Sequence, residues 1–245
     1  MTASAQTTRA VLMAGGKGTR LRPLTAVLPK PIVPIGDKPI LQILMEQLRE
    51  NGFRDVTVCT GYLAELIMVV AGDGSKYGMN VSYHPEDKPL GTAGALGDIK
   101  DLTDPFIVMN GDLLTTLSYK RMLEYHVQEQ ADLTIAIYQR DVKIDFGVVE
   151  LDSDNGFTGF KEKPTYPMHV SMGVNVLSKG VLEHVAPNEY LDMPDLVKKV
   201  HESGGKVACF KDDCYWLDIG RLDDYALAQE HYEKNRELFS PEGGE

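Results

Sequence analysis

Apolar and polar positions alternate in blocks along the first half of the chain. RAVLMA (9–14) is a short apolar run ending in glycines, which predicts a buried strand feeding a loop. In PILQILMEQLRENGF (39–53) Ile40, Leu44 and Leu48 recur at helical spacing, and Asn51-Gly52 supplies a stop, so a helix follows that loop. VTVCTGY (56–62) predicts a strand, AELIMVVAG (64–72) a helix and NVSYHP (80–85) a strand. TAGALGDIKDL (92–102) is expected to be helical and to lead into PFIVMNGDLL (105–114), an apolar strand that ends on Asn110-Gly111-Asp112. Strands alternating with helices at this spacing imply a mostly parallel sheet covered on both faces.

The second half changes texture. DLTIAIYQ (132–139), FGVVELD (146–152), GFTGFKEKP (156–164) and MGVNVLS (172–178) are strand-like, with few helices between them. Helices return at MPDLVKKVHESGG (193–205) and DDYALAQEHYEKNRELF (223–239). The expected fold is therefore α/β with a mixed or antiparallel insertion in its later part.

With 245 residues, 43% of them hydrophobic, the chain is read as a single domain over 1–245, with flexible ends at 1–8 and 240–245. A formal charge of −11 argues against a nucleic-acid partner, so any anionic ligand must be met by local cations. The three cysteines form no CxxC pair, and the six histidines show no metal-ligand spacing. No apolar run approaches the roughly 18 residues of a membrane span, and the first ten residues are too polar for a signal peptide. A cytoplasmic protein without a membrane partner is expected.

Against that acidic background, LMAGGKGTRLRPLTAVLPKP (12–31) concentrates glycine, cations and proline. Glycines after a strand expose backbone N–H groups that can approach phosphates, although a tight strand-to-helix turn has the same composition. Arg20 and Lys30 tilt the reading toward a polyphosphate site, held by Pro23, Pro29 and Pro31; Arg22 reads as a solvated charge. The spacing fits neither a Walker loop nor a dinucleotide GxGxxG turn.

AGGKGTRLRPLT followed by PKP resembles the signature of the sugar-1-phosphate nucleotidylyltransferases. The resemblance continues, in order, through LGTAGAL (90–96), NGD (110–112), EKP (162–164) and WLDIG (216–220). Within that family the chain is most similar to the guanylyltransferase type and to nucleotidyltransferase domains associated with CBS pairs. The resemblance implies a Rossmann-like three-layer sandwich, the nucleotide-diphospho-sugar transferase fold, whose antiparallel insertion binds sugar. It also implies transfer of a nucleotidyl group from a nucleoside triphosphate, with GTP the first guess, to a sugar 1-phosphate. Relatives often associate, which leaves a homo-oligomer open.

The same resemblance implies roles. Asp112 and Asp218 would hold Mg²⁺, whose preference for hard oxygen donors they suit. Arg20 and Lys30 would hold the triphosphate, and Lys163 the sugar phosphate. Leu12, Ala14, Gly15, Gly16, Gly18, Thr19 and Gly111 would border the nucleotide. Leu90, Gly91, Thr92 and Gly94 would wall the base and ribose, and Glu86 is a candidate reader of a guanine edge. Gly147, Glu162, Ser171, Met172, Gly173 and Asn175 would line the sugar pocket. There Ser171 and Met172 stand where many relatives have Asn-Ala, leaving the sugar open and allowing Met172 a packing role. Uridylyl, cytidylyl and thymidylyl transfer, and a non-catalytic nucleotide-sugar-binding protein, stay as alternatives. A glycosyltransferase is a third reading, but its DxD-like pattern is met only by Asp112.

Overall fold

In the computed structural model, which describes residues 3–239, the chain begins β1 (Arg9–Ala14), β2 (Pro34–Ile35), β3 (Lys38–Pro39), α1 (Ile40–Glu50), β4 (Asp55–Thr60), α2 (Ala64–Ala71) and β5 (Asn80–Pro85). It continues β6 (Phe106–Asn110), β7 (Leu113–Thr115), α3 (Tyr119–Glu129), β8 (Leu133–Lys143), β9 (Val148–Leu151), β10 (Phe157–Lys161) and β11 (Thr165–Leu177). It closes with α4 (Met193–Glu202), β12 (Val207–Lys211), β13 (Trp216–Asp218), α5 (Leu222–Lys234) and α6 (Arg236–Phe239).

Seven strands form the central sheet in the order β12-β8-β11-β6-β1-β4-β5. β1 pairs in parallel with β4 and β6, β4 with β5, and β8 with β12. β11 runs antiparallel to both β6 and β8. Period-two alternation sorts the strands' side chains between two apolar layers. Leu12 faces one layer with Ile40, Leu44 and Leu48 of α1; Val11 faces the other with Leu196 and Val200 of α4. This is the three-layer sandwich the alternating blocks imply.

α1 follows Pro39 and stops at Asn51, with Gly52 in a left-handed conformation (φ 96°) that a side chain resists. At the near end of the chain, where residues 1–8 are read as flexible, residues 5–7 form a 3-10 turn capped by Ser4, and Ala5 is buried. The tail at 240–245 lies outside the described residues.

Several elements differ from the sequence reading, which also assigns no strand to β2, β3, β12 or β13. Residues 92–102 hold only a 3-10 turn, Gly94–Asp98. Gly94 and Gly97 are poor helix formers, and both press against the backbone of residues 185–189. β6 stops at Asn110, where the sequence ends its strand on Asn110-Gly111-Asp112, and the next three residues to pair, Leu113–Thr115, form β7, unread in the sequence, which leaves to pair with β13. α3, unread in the sequence, carries buried Tyr119, Met122, Leu123 and His126 at helical spacing behind an Ser118 cap.

β8 and β11 run on together beyond the edge of β6, from the Ser171↔Ile137 pair to the Thr165↔Lys143 pair. β11 is antiparallel to β6 and meets Met109 at Val174, so this arm overhangs the carboxyl edge of the sheet. The β9–β10 hairpin connects its two strands. Among the described residues no helix is long and apolar enough to cross a membrane.

Candidate active site

Four parallel strands end at one edge and hand over to loops: β1 to Gly15-Gly16, β4 to Gly61, β5 to Glu86, and β6 to Asn110-Gly111-Asp112. Their carboxyl ends open a cleft of about 910 Å³, the position where open α/β sheets bind ligands. Met13, Ala14, Gly15, Gly16, Gly18 and Thr19 line it from β1 and its loop. Close packing explains two of the glycines. A Cβ on Gly61 would lie 2.8 Å from the Gly15 carbonyl oxygen, and one on Gly111 would lie 2.9 Å from that of Met13.

The floor is charged. Lys30, buried between Pro29 and Pro31 at the start of a 3-10 turn, forms an ion pair with Asp112 Oδ2. The other carboxylate oxygen, Asp112 Oδ1, is buried without a hydrogen-bond partner. Asp218 arrives through the β7–β13 pairing, in which Leu113 is opposite Asp218 and the Ile219 N–H donates to the Asp112 carbonyl at 3.1 Å. Burial pushes the Asp218 carboxyl above its usual range; the neighbouring Asp112 charge adds to this, and Lys30 and Arg20 oppose it. Around Gly220 three charged groups converge. The direction of a Cβ there points to within 3.2 Å of Asp218 Oδ2 and 3.6 Å of both Arg20 Nη1 and Asp224 Oδ2.

One wall is the loop 86–92. Glu86 Oε2 accepts the Leu90 N–H at 3.2 Å, and Glu86 Oε1 lies so near Gly15 that a Cβ there would stand 2.8 Å away. Burial raises the Glu86 carboxyl, against the Leu90 N–H and the His84 charge. Residues 189–193 brace the loop from outside. Leu191 N donates to Leu90 O and Ala93 N to Leu191 O, both at 2.9 Å. Asp192 Oδ1 accepts Thr92 N at 3.2 Å, and Met193 N donates to Thr92 Oγ1 at 2.8 Å. Gly91 has φ 78°, and a Cβ would sit 2.9 Å from Asp192 Oδ1.

The structure thus brings Arg20, Lys30, Asp112, Asp218, Glu86, Leu90, Gly91, Thr92 and the glycine loop to one cleft. It places the other candidates elsewhere. Leu12 is fully buried in the core, because mid-strand side chains alternate between the two apolar layers and never reach the strand's end. Gly94 is buried against residues 189–191. Met172 is fully buried and offers only its carbonyl, which accepts the Trp216 indole N–H at 2.9 Å. Asn175 is buried within β11, paired with Val108 and Ile135.

The arm carries the rest. Gly147, Glu162, Lys163 and Ser171 are exposed and do not border the cleft. Gly147 underlies the Phe160 ring and approaches Glu162, and Lys163 turns the chain at φ 43°. Gly173 (φ 74°), in the register shift of β11, links arm to floor: a Cβ there would meet the Asn110 side chain, which lines the cleft. The sequence reading missed the cleft residues Lys17, Tyr62, Lys88 and Tyr190, and Asp224 beside Asp218. Lys17 stood inside the glycine loop in plain view; Tyr190 and Asp224 arrive from distant segments with no local pattern.

Residues 9–235, which hold the whole cleft, match the nucleotidyl transferase family. The chain belongs to that family. Among curated relatives, the D-glycero-alpha-D-manno-heptose 1-phosphate guanylyltransferase of Aneurinibacillus thermoaerophilus is 32% identical over 91% of this chain and 99% of its own. The UTP–glucose-1-phosphate uridylyltransferase of Synechocystis sp. is 31% identical over 89% of this chain. The chain spans 61% of the length of that relative. Among solved structures, HddC of Yersinia pseudotuberculosis complexed with GMP-PN superposes with a TM-score of 0.70 at 28% identity, covering 92% of this chain and 99% of its own. Of the charged groups by which its sequence resembled this family, Arg20, Lys30, Asp112 and Asp218 line the cleft, and Glu162 and Lys163 lie on the arm.

Proposed function

We propose that this nucleotidyl transferase joins a nucleoside triphosphate to a sugar 1-phosphate, releasing pyrophosphate and an NDP-sugar. The observation that carries the reading is the convergence of Lys30, Asp112, Asp218 and Arg20 on one cleft beneath the glycine loop. The reaction brings two anions together, so positioning and charge neutralisation are its main demands. An oxygen of the sugar phosphate attacks the α-phosphorus, the bond from that phosphorus to the αβ-bridging oxygen breaks, and pyrophosphate departs with the electron pair.

In this reading the backbone around Gly15-Gly16 admits the phosphates, and Arg20 and Lys30 meet their charge. The Asp112 ion pair fixes the Lys30 ammonium, which limits its reorganisation as charge moves to the leaving group. Asp112 and Asp218 fit a divalent cation such as Mg²⁺: both are hard oxygen donors, and Asp112 Oδ1 lacks a partner. Two carboxylates are few, as expected where substrate phosphates complete the shell. When bound, that ion would neutralise charge between the two phosphates. Glu162 and Lys163 on the overhanging arm are assigned to the sugar phosphate side, and the cytoplasm, where nucleoside triphosphates are held, is the compartment.

GTP is the nucleotide we favour. Glu86 places a carboxylate beside the 90–92 wall, suited to accept two N–H bonds from a guanine edge, and the heptose-phosphate relative is a guanylyltransferase. The Synechocystis relative keeps uridylyl transfer as the second reading. Pyrophosphate release across GTP, UTP, CTP, dTTP and ATP against a panel of sugar 1-phosphates tests both. A dominant GTP row supports the first, a dominant UTP row the second, and a blank grid neither.

A further inference from the structure

Tyr190 borders the cleft yet sits 98 positions beyond Thr92, the end of the wall it stands beside. Tyr190 is 64% exposed. It is nevertheless tethered. The Tyr190 hydroxyl donates to Asp192 Oδ2 at 2.7 Å, while the other oxygen of the same carboxylate accepts Thr92 N at 3.2 Å and lies 3.4 Å from Thr92 Oγ1. One carboxylate therefore anchors both the wall and the ring beside it. Leu191, between the two anchors, is hydrogen-bonded to Leu90 and Ala93, so the backbone that carries Tyr190 moves with the wall.

A ring held in this way beside an open cleft offers a flat apolar surface, and its hydroxyl is already engaged. Its segment is joined to the wall at Leu90, Gly91 and Thr92 and borders the same cleft as the charged floor. We propose that Tyr190 is a nucleobase-binding residue, against whose ring the heterocycle of the bound nucleotide packs. This rests on the reading of the cleft as a nucleoside triphosphate site and adds an element to it. Packing against a ring face favours every base, so Tyr190 supplies affinity while edge-reading groups such as Glu86 supply choice.

The test compares two ligands and two variants of the full chain by titration calorimetry, with GTP and with inorganic tripolyphosphate, which has the charge and no base. Base stacking on an aromatic ring implies that Tyr190→Ala weakens GTP by about fivefold or more. Tripolyphosphate binding stays within about twofold, since it makes no contact with the ring. Tyr190→Phe keeps the ring and loses the tether to Asp192, and should recover most of the GTP affinity. Equal losses for GTP and tripolyphosphate, or equal losses in the Phe and Ala variants, would overturn the proposal and make Tyr190 a brace for the wall. Unchanged GTP affinity in Tyr190→Ala would also overturn it while leaving the nucleotide site intact. A wild-type chain that binds tripolyphosphate but gains nothing from the base overturns the inference alone; one that binds neither ligand overturns the underlying reading as well.

Discussion

Lys30 and Asp112 are 82 positions apart and meet as an ion pair at the floor of the cleft, with the lysine side chain 11% exposed. The pair joins the proline-flanked turn after the glycine loop to the end of β6. It leaves Asp112 Oδ1 buried and unpaired, an arrangement that costs stability unless a ligand uses it.

Asp112→Asn should therefore lower turnover by at least about a hundredfold, as loss of a charge-organising group does, while far-ultraviolet circular dichroism stays unchanged. Lys30→Ala should cost a similar factor. Steady-state pyrophosphate release measures both, and near-wild-type rates in either variant would remove that residue from the chemistry.

The braced wall predicts a backbone effect. Gly91→Ala places a Cβ 2.5 Å from the Leu191 carbonyl oxygen at a φ of 78°. The variant should lose about 1–3 kcal/mol of stability and bind nucleotide more weakly, because the 90–92 and 189–193 segments must separate. Urea unfolding and GTP titration together check this, and a fully stable variant with normal affinity would contradict the bracing.

Much of this was legible in the sequence, for identifiable reasons. The strand RAVLMA and the helix after Pro39 were readable because burial there is periodic and the stops are glycine and asparagine. The run 92–102 misled because its apolar residues suit a helix, while its glycines serve close packing against residues 185–191. The stop of β6 at Asn110-Gly111-Asp112 was readable, whereas β7 was not, because nothing local announces that it pairs with residues 216–218. Arg20, Lys30, Asp112 and Asp218 were visible through their motifs. Tyr190, Asp192 and Asp224 acquire their places only when distant segments pack. Leu12, just ahead of the matching AGGKGTRLRPLT, and Met172, where the chain departs from its relatives, face the core, since the sheet decides which side chains reach the cleft.

The arm predicts a separation of substrates. Lys163, exposed beyond the cleft on the segment after β10, should matter for the sugar phosphate and little for the nucleotide. Lys163→Ala should raise the KM for the sugar 1-phosphate by about tenfold, the loss expected for one charge-assisted contact, with the KM for the nucleotide unchanged. An equal rise in both would place Lys163 elsewhere in the mechanism.

His126 predicts a pH effect on stability away from the cleft. It is buried, with Nδ1 2.8 Å from Thr134 Oγ1 and Nε2 3.1 Å from Ser178 Oγ. Burial pushes its imidazole from the usual 6.5 down to about 4. Between those values the unfolded chain takes up a proton that the folded chain refuses, so stability falls as the pH drops from about 6.5 towards about 4. The loss by pH 5 should be about 2 kcal/mol. Urea unfolding at pH 7 and pH 5 should show this step in the wild type and a smaller one in His126→Gln. Identical steps in both would assign the acid sensitivity to other groups.

Nucleotidyl transfer from a nucleoside triphosphate in the cleft to a sugar 1-phosphate under the overhanging arm is open to a direct test. The most direct measurement incubates the chain with Mg²⁺, α-labelled GTP and a sugar 1-phosphate that the substrate grid identifies, and follows labelled NDP-sugar and pyrophosphate together. The expected result is one labelled NDP-sugar for each pyrophosphate, none of either without the sugar 1-phosphate, and loss of both in Asp112→Asn. Pyrophosphate released without the sugar 1-phosphate, or nucleotide bound with no transfer to any sugar 1-phosphate, would contradict it.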